Sequence, residues 1–174
     1  RLRTVQNLLE SGKVDGAIQA AQSLLTAAPY DPRVLALNAQ CMAVVGDHIA
    51  AIQIYNTLLT QQDSGVIWAA KARSLMALGR YRRASRAFAR ATALAQSTRY
   101  IAEQATCTLA AGKLNDILDL LEAGGPPSKT DRPYQLIRAK TLAQIGCMRD
   151  AFGHASQAAK WDETGQAISK SMII

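Results

Sequence analysis

The sequence predicts an all-α array of about five stacked helix hairpins, and three observations predict it. First, Gly12, Gly46, Gly79, Gly112 and Gly146 follow one another at intervals of 34, 33, 33 and 34 residues, and a fixed period in the thirties marks a stacked array. Second, the residues around these glycines repeat. Seven before each stand Val5, Ala39, Ala72, Ala105 and Ala139, five after stand Ala17, Ala51, Ala84, Ile117 and Ala151, and nine after stand Ala21, Tyr55, Phe88, Leu121 and Ala155. Third, apolar residues on both sides of each glycine recur at three- and four-residue spacing, as in Leu75, Met76 and Leu78, then Ala84, Ala87, Phe88 and Ala91. Each segment is therefore one helix, a glycine that ends it in the left-handed conformation, and a second helix. A hairpin of this size cannot bury its apolar faces alone, so stacking on its neighbours closes the core.

The units run in order over residues 1–31, 32–64, 65–97, 98–131 and 132–165, as a single solenoid. In the first, the helical pattern is already running at Arg1, so the native N-terminus is expected upstream. The fourth departs from the others: its second helix, Asp116 to Ala123, reads as short, and Gly124, Gly125, Pro126 and Pro127 stop it before Ser128 to Arg132. Residues 166–174, ending Met172, Ile173 and Ile174, read as a capping helix or a truncated sixth unit.

Composition agrees with a folded repeat domain. The chain is 174 residues long, 49% apolar and 5% aromatic, with a formal charge of +7, enough to bury a core. No apolar stretch approaches the roughly 20 residues needed to span a bilayer. Cys41, Cys107 and Cys147 are too few and too scattered for a disulfide framework or a C-x-x-C metal site, and read as reduced packing thiols. That favours a reducing, cytoplasmic location.

At this point the sequence resembles the tetratricopeptide repeat family. Residues 65–97 carry the closest match, with Trp68, Leu75, Gly79, Tyr81, Ala84, Phe88 and Ala91 at the family's positions, and the first unit adds Pro29 where the family ends its second helix. The resemblance implies a right-handed α-α superhelix, a concave groove lined by the first helix of each hairpin, and a convex side formed by the second.

On that expectation, the positions six before each glycine, Gln6, Gln40, Arg73, Thr106 and Lys140, form a polar row in the groove, and Arg33 and Arg99, thirteen before, add charge. Beside them Leu2, Ala36, Ala69, Ala102 and Leu136 (ten before) and Leu9, Ala43, Met76, Leu109 and Ala143 (three before) make a largely small, apolar floor. Arg33, Gln40, Arg73, Arg99, Thr106 and Lys140 are the candidate binding residues, and such a groove suits a protein or peptide segment bearing acidic groups. The carboxylate clamp for chaperone C-termini is absent, because its positions hold Leu2, Gln6, Leu37, Val66 and Ala70.

Charge marks a second surface. Residues 64–102 carry eight basic and no acidic side chains, so the whole net charge resides there. Arg82, Arg83, Arg86 and Arg90 form a stripe on the second helix of the third unit, which the resemblance places outside. A solubilising face is the plainest reading, an acidic protein or neighbouring domain the next, and nucleic acid or anionic lipid the last. Nucleic acid is disfavoured because no aromatic residues are interleaved with the arginines.

No catalytic constellation, metal site or cofactor motif stands out. His48 and His154 lack an acid, cysteine or second histidine at helical spacing and read as packing or surface residues. Asp116, Asp119 and Glu122 share one helix face and read as solvated charge. The expected function is a non-catalytic interaction scaffold. The alternatives are an accessory region of a larger enzyme, as in bacterial sulfotransferases and glycosyltransferases that carry such arrays, and a solenoid that assembles with its own copies.

Overall fold

A computed structural model describes residues 1–95, 97–113, 116, 117, 119, 120 and 132–159. The predicted break at 124–127 and the tail 166–174 lie outside the described residues, and the Asp116 to Ala123 helix lies partly outside them, with Asp116, Ile117, Asp119 and Leu120 helical. The chain groups into two compact units, Arg1–Ala95 and Gln96–Ile174.

The first unit holds three hairpins: α1 (Leu2–Glu10) with α2 (Val14–Ala27), α3 (Pro32–Val45) with α4 (His48–Gln61), and α5 (Gly65–Ala77) with α6 (Tyr81–Ala95). Helix starts follow from local chemistry. Asp31 caps α3 by accepting from the Arg33 amide at 2.9 Å, with Pro32 at the first helical position, and Asp47 caps α4 by accepting from the Ala50 amide at 3.0 Å. The five periodic glycines all adopt positive φ, between 69° and 94°. At Gly46, with φ of 94°, nothing lies within 4 Å of where a Cβ would stand, so backbone conformation alone selects glycine there.

Stacking within this unit runs from each hairpin to the next. Val5, Ala17 and Ala21 form one buried cluster with Cys41 of α3, and Leu8, Ile18 and Leu37 pack against it. Ala39, Ala51, Tyr55 and Leu58 form the next, with Ile67 and Ala70 of α5 packed on it. Gly65 marks a close approach: a Cβ on it would stand 3.0 Å from the Ala91 carbonyl oxygen and 3.1 Å from the Ala95 Cβ, because the start of α5 lies against the end of α6.

The second unit contains α7 (Thr98–Ala110), α8 (Arg132–Ile145) and α9 (Met148–Ala159). Ile101, Ala102, Ala105, Ile117 and Ile137 make its buried cluster. Within it the ring of His154 is half-buried, its Nδ1 2.7 Å from Oε1 of the buried Gln135. Burial, helped by the Arg138 charge and opposed by Asp150, holds this histidine below its usual value of 6.5. The unfolded chain then takes up the proton first as pH falls through about 6.5, so stability declines below that pH until the folded histidine titrates too. Chemical denaturation at about pH 7.5 and about pH 5 should show this decline, and His154→Asn should flatten it.

The predicted register is observed. Of the fifteen residues at the positions seven before, five after and nine after the glycines, fourteen are buried, and the fifteenth, Leu121, lies outside the described residues.

Candidate functional site

Within the first unit, two concave surfaces are lined by different residues of α5, Ala70, Arg73 and Ser74 in one and Trp68, Lys71 and Leu75 in the other. The first is a groove of about 440 Å³ lined by Leu9 and Glu10 of α1, Gln40, Ala43 and Val44 of α3, and Ala70, Arg73 and Ser74 of α5. Thus the first helix of each hairpin builds it, and successive helices supply equivalent turns because the repeat holds them in register. Leu9 and Ala43, three before their glycines, contribute to its apolar lining, whereas Ala69, ten before, is fully buried and belongs to the core.

Two lining residues, His48 and Tyr55, come from α4 and reach the groove between α3 and α5. Burial pushes the Tyr55 hydroxyl up to about 12, against the opposing influence of the nearby Arg73 charge. His48 Nδ1 is buried without a hydrogen-bond partner. Gln40 and Arg73, two predicted binding residues, therefore share one groove with Tyr55 and His48, and with Glu10 as the acid among its lining residues.

The other candidates are placed differently. Arg33 folds back on the α3 cap, donating from Nε at 3.1 Å and Nη2 at 2.8 Å to the Asp31 carboxylate, which holds that carboxyl below its ordinary value. In the second unit, Arg99 pairs with Glu103 one turn on at 3.3 Å, Thr106 donates to the Ala102 carbonyl at 2.8 Å, and Lys140 is exposed on α8.

The second surface is a cleft of about 630 Å³ over another face of α5. Ile52 and Asn56 of α4, Trp68, Lys71 and Leu75 of α5, and Arg83, Arg86, Ala87 and Arg90 of α6 line it, with Arg80 from the turn. Three of the four arginines in the predicted stripe thus enter one cleft. Arg82 is exposed and not among its lining residues.

An acid from the α4–α5 loop organises one end of the cleft. Asp63 accepts from Trp68 Nε1 at 2.6 Å and from Arg90 Nη2 at 2.5 Å, and these bonds, the tryptophan's first, hold its carboxyl below the usual carboxylate range. Lys71 Nζ stands over the Trp68 ring, 4.5 Å from its centre, and partial burial draws its pKa down. Sequence reading identified Trp68 only as a motif residue and did not single out Asp63 or Lys71. Helical spacing cannot pair residues on different helices.

Cys41 and Cys107 are buried free thiols, and burial raises both, Cys107 to about 11; Cys147 is exposed. Among the described residues, no group of three His, Cys, Asp or Glu side chains could hold a metal ion, and no helix is long and apolar enough to cross a membrane.

Residues 8–73 match the tetratricopeptide repeat model, a stretch from late α1 to the middle of α5. No curated protein matches the chain in sequence. Among solved structures, the chain is similar to a MamA fragment, residues 41 to the end, from Desulfovibrio magneticus RS-1, with 15% identity, a TM-score of 0.79, and coverage of 95% of this chain and 94% of that one. It is similar to pilF of Pseudomonas aeruginosa, at 15% identity and a TM-score of 0.80, over 92% of this chain and 74% of that one. The thermophilic TPR protein TTC0263 of Thermus thermophilus gives 16% identity and a TM-score of 0.73, over 98% of this chain and 96% of that one. At these identities the likeness is one of fold: an all-α solenoid of helix hairpins.

Proposed function

We propose that the chain, whose residues 8–73 match the tetratricopeptide repeat model, is a tetratricopeptide repeat protein and a non-catalytic scaffold that receives a segment of a partner protein in the groove of its first unit. Repeats of this family serve in general as protein–protein interaction scaffolds. One observation carries the finer reading: α1, α3 and α5 present Gln40 and Arg73 together over a half-buried apolar lining of Leu9, Ala43 and Ala70. Such a surface binds by apolar contact, with a few polar groups fixing register. Arg73 is its group for a partner carboxylate, and Gln40 and Ser74 supply neutral hydrogen bonds to a main chain. Exposed Arg99, Thr106 and Lys140 are the candidate binding residues of the second unit, taken by itself.

A rigid repeat array loses little entropy on binding, so the ordering cost falls mainly on the guest segment. Three unpaired thiols, one of them exposed, suit a reducing compartment such as the cytoplasm.

Affinity capture from source lysate, read by mass spectrometry, tests the proposal. The wild-type protein should retain a partner that Arg73→Glu releases, a loss of about tenfold or more, with helicity and melting point unchanged. Retention of every captured protein by that variant would sink the groove reading. Stacking on a second copy would appear instead as concentration-dependent sedimentation.

A further inference from the structure

The cleft lined by Trp68, Lys71 and Leu75 of α5 has a composition the groove lacks. Lys71, Arg80, Arg83 and Arg86 gather around an apolar base of Ile52, Leu75 and Ala87. Asp63 is not among the lining residues, and it already holds Arg90 and Trp68 at one end. No ion pair joins Arg80, Arg83 or Arg86 to a carboxylate among the described residues. No acid lies anywhere in residues 64–102 to neutralise them.

Cations clustered around a low-dielectric base repel one another, and carboxylates brought to the rim relieve that repulsion. We propose that this cleft is a second docking site, for an acidic amphipathic segment of a partner protein whose apolar side chain seats on Ile52, Leu75 and Ala87 while its carboxylates meet Arg80, Arg83 and Arg86.

Competing occupants fit less well. Single-stranded nucleic acid needs open aromatic faces for stacking, and here Lys71 stands over the Trp68 ring while Asp63 holds its N–H. A second copy of the chain brings a formal charge of +7 with it, which repels this cleft. Neither objection applies to an acidic partner protein. This site is independent of the groove, because Gln40 and Arg73 do not line it.

The test uses the full chain with Trp161→Phe, which leaves Trp68 as its single tryptophan. The probes are a synthetic helical peptide with glutamates one turn apart around a leucine, the same peptide with lysine for glutamate, and a single-stranded oligothymidylate of equal net charge. The acidic peptide should bind and shift Trp68 emission, weaken about tenfold or more in Arg83→Glu with Arg86→Glu, and weaken as salt rises. Arg73→Glu should leave its affinity within about twofold, since Arg73 does not line the cleft, so failure here is distinguishable from failure of the groove reading. Absence of acidic-peptide binding, equal binding by the cleft variant, or tighter binding of the oligonucleotide overturns the proposal.

Discussion

Phe88→Ala is expected to destabilise the protein by about 3–5 kcal/mol, the largest loss expected from truncating any one side chain of the described core. Phe88 is fully buried and is the largest such side chain in the described structure, on α6, which packs against α5. Removing the ring forfeits its transfer free energy and leaves a cavity between helices whose close approach at Gly65 limits collapse. A domain's whole stability is about 5–15 kcal/mol, so the third hairpin should unfold readily in the variant. The control is internal. The chain's other phenylalanine, Phe152, is 68% exposed, and Phe152→Ala should change stability by no more than about 0.5 kcal/mol. Urea denaturation of the three proteins measures both, and equal losses would refute the packing.

Ala72→Leu and Ala84→Leu should each cost about 1–3 kcal/mol, from the opposite cause. Both alanines are fully buried, seven before and five after Gly79, where the repeat calls for small side chains between packed helices. Three added carbons must push a helix away or adopt a poor rotamer. Ala89→Leu, on the exposed side of α6, should be close to neutral. Thermal melts unchanged in both buried variants would mean that the register set by the glycines is wrong.

Both predictions rest on features legible in the sequence. A period of 33–34 fixes where helices turn, and positive φ at all five glycines is its backbone consequence. Fixed offsets from those glycines mark the core, since in a stacked array the same turn of each hairpin meets its neighbour.

The surfaces were legible only in part. One-helix arithmetic placed Arg83, Arg86 and Arg90 on one stripe, and they do share a cleft, but Lys71 and Trp68 enter it from α5. Counting charges between residues 64 and 102 found no acid for the stripe, yet Asp63, one position outside that window, pairs with Arg90 twenty-seven residues away. Sequence spacing reports neighbours along a helix and is silent on neighbours across one. In the groove, Gln40 and Arg73 followed from register, whereas Tyr55 and His48 arrive from the second helix of their hairpin. Arg33 shows the reverse: its position suited the groove, but an aspartate two residues earlier engages it at the helix cap.

The central claim, that the face of α1, α3 and α5 receives a partner, is tested most directly by site-specific photo-crosslinking in source lysate. A photoreactive phenylalanine replaces Val44, an exposed residue that lines the groove, and in a second protein Gln22, an exposed residue of α2 that does not. The account predicts a discrete protein adduct from position 44 that Arg73→Glu abolishes, with none from position 22. Adducts of equal yield from both positions, or none from position 44, would contradict it.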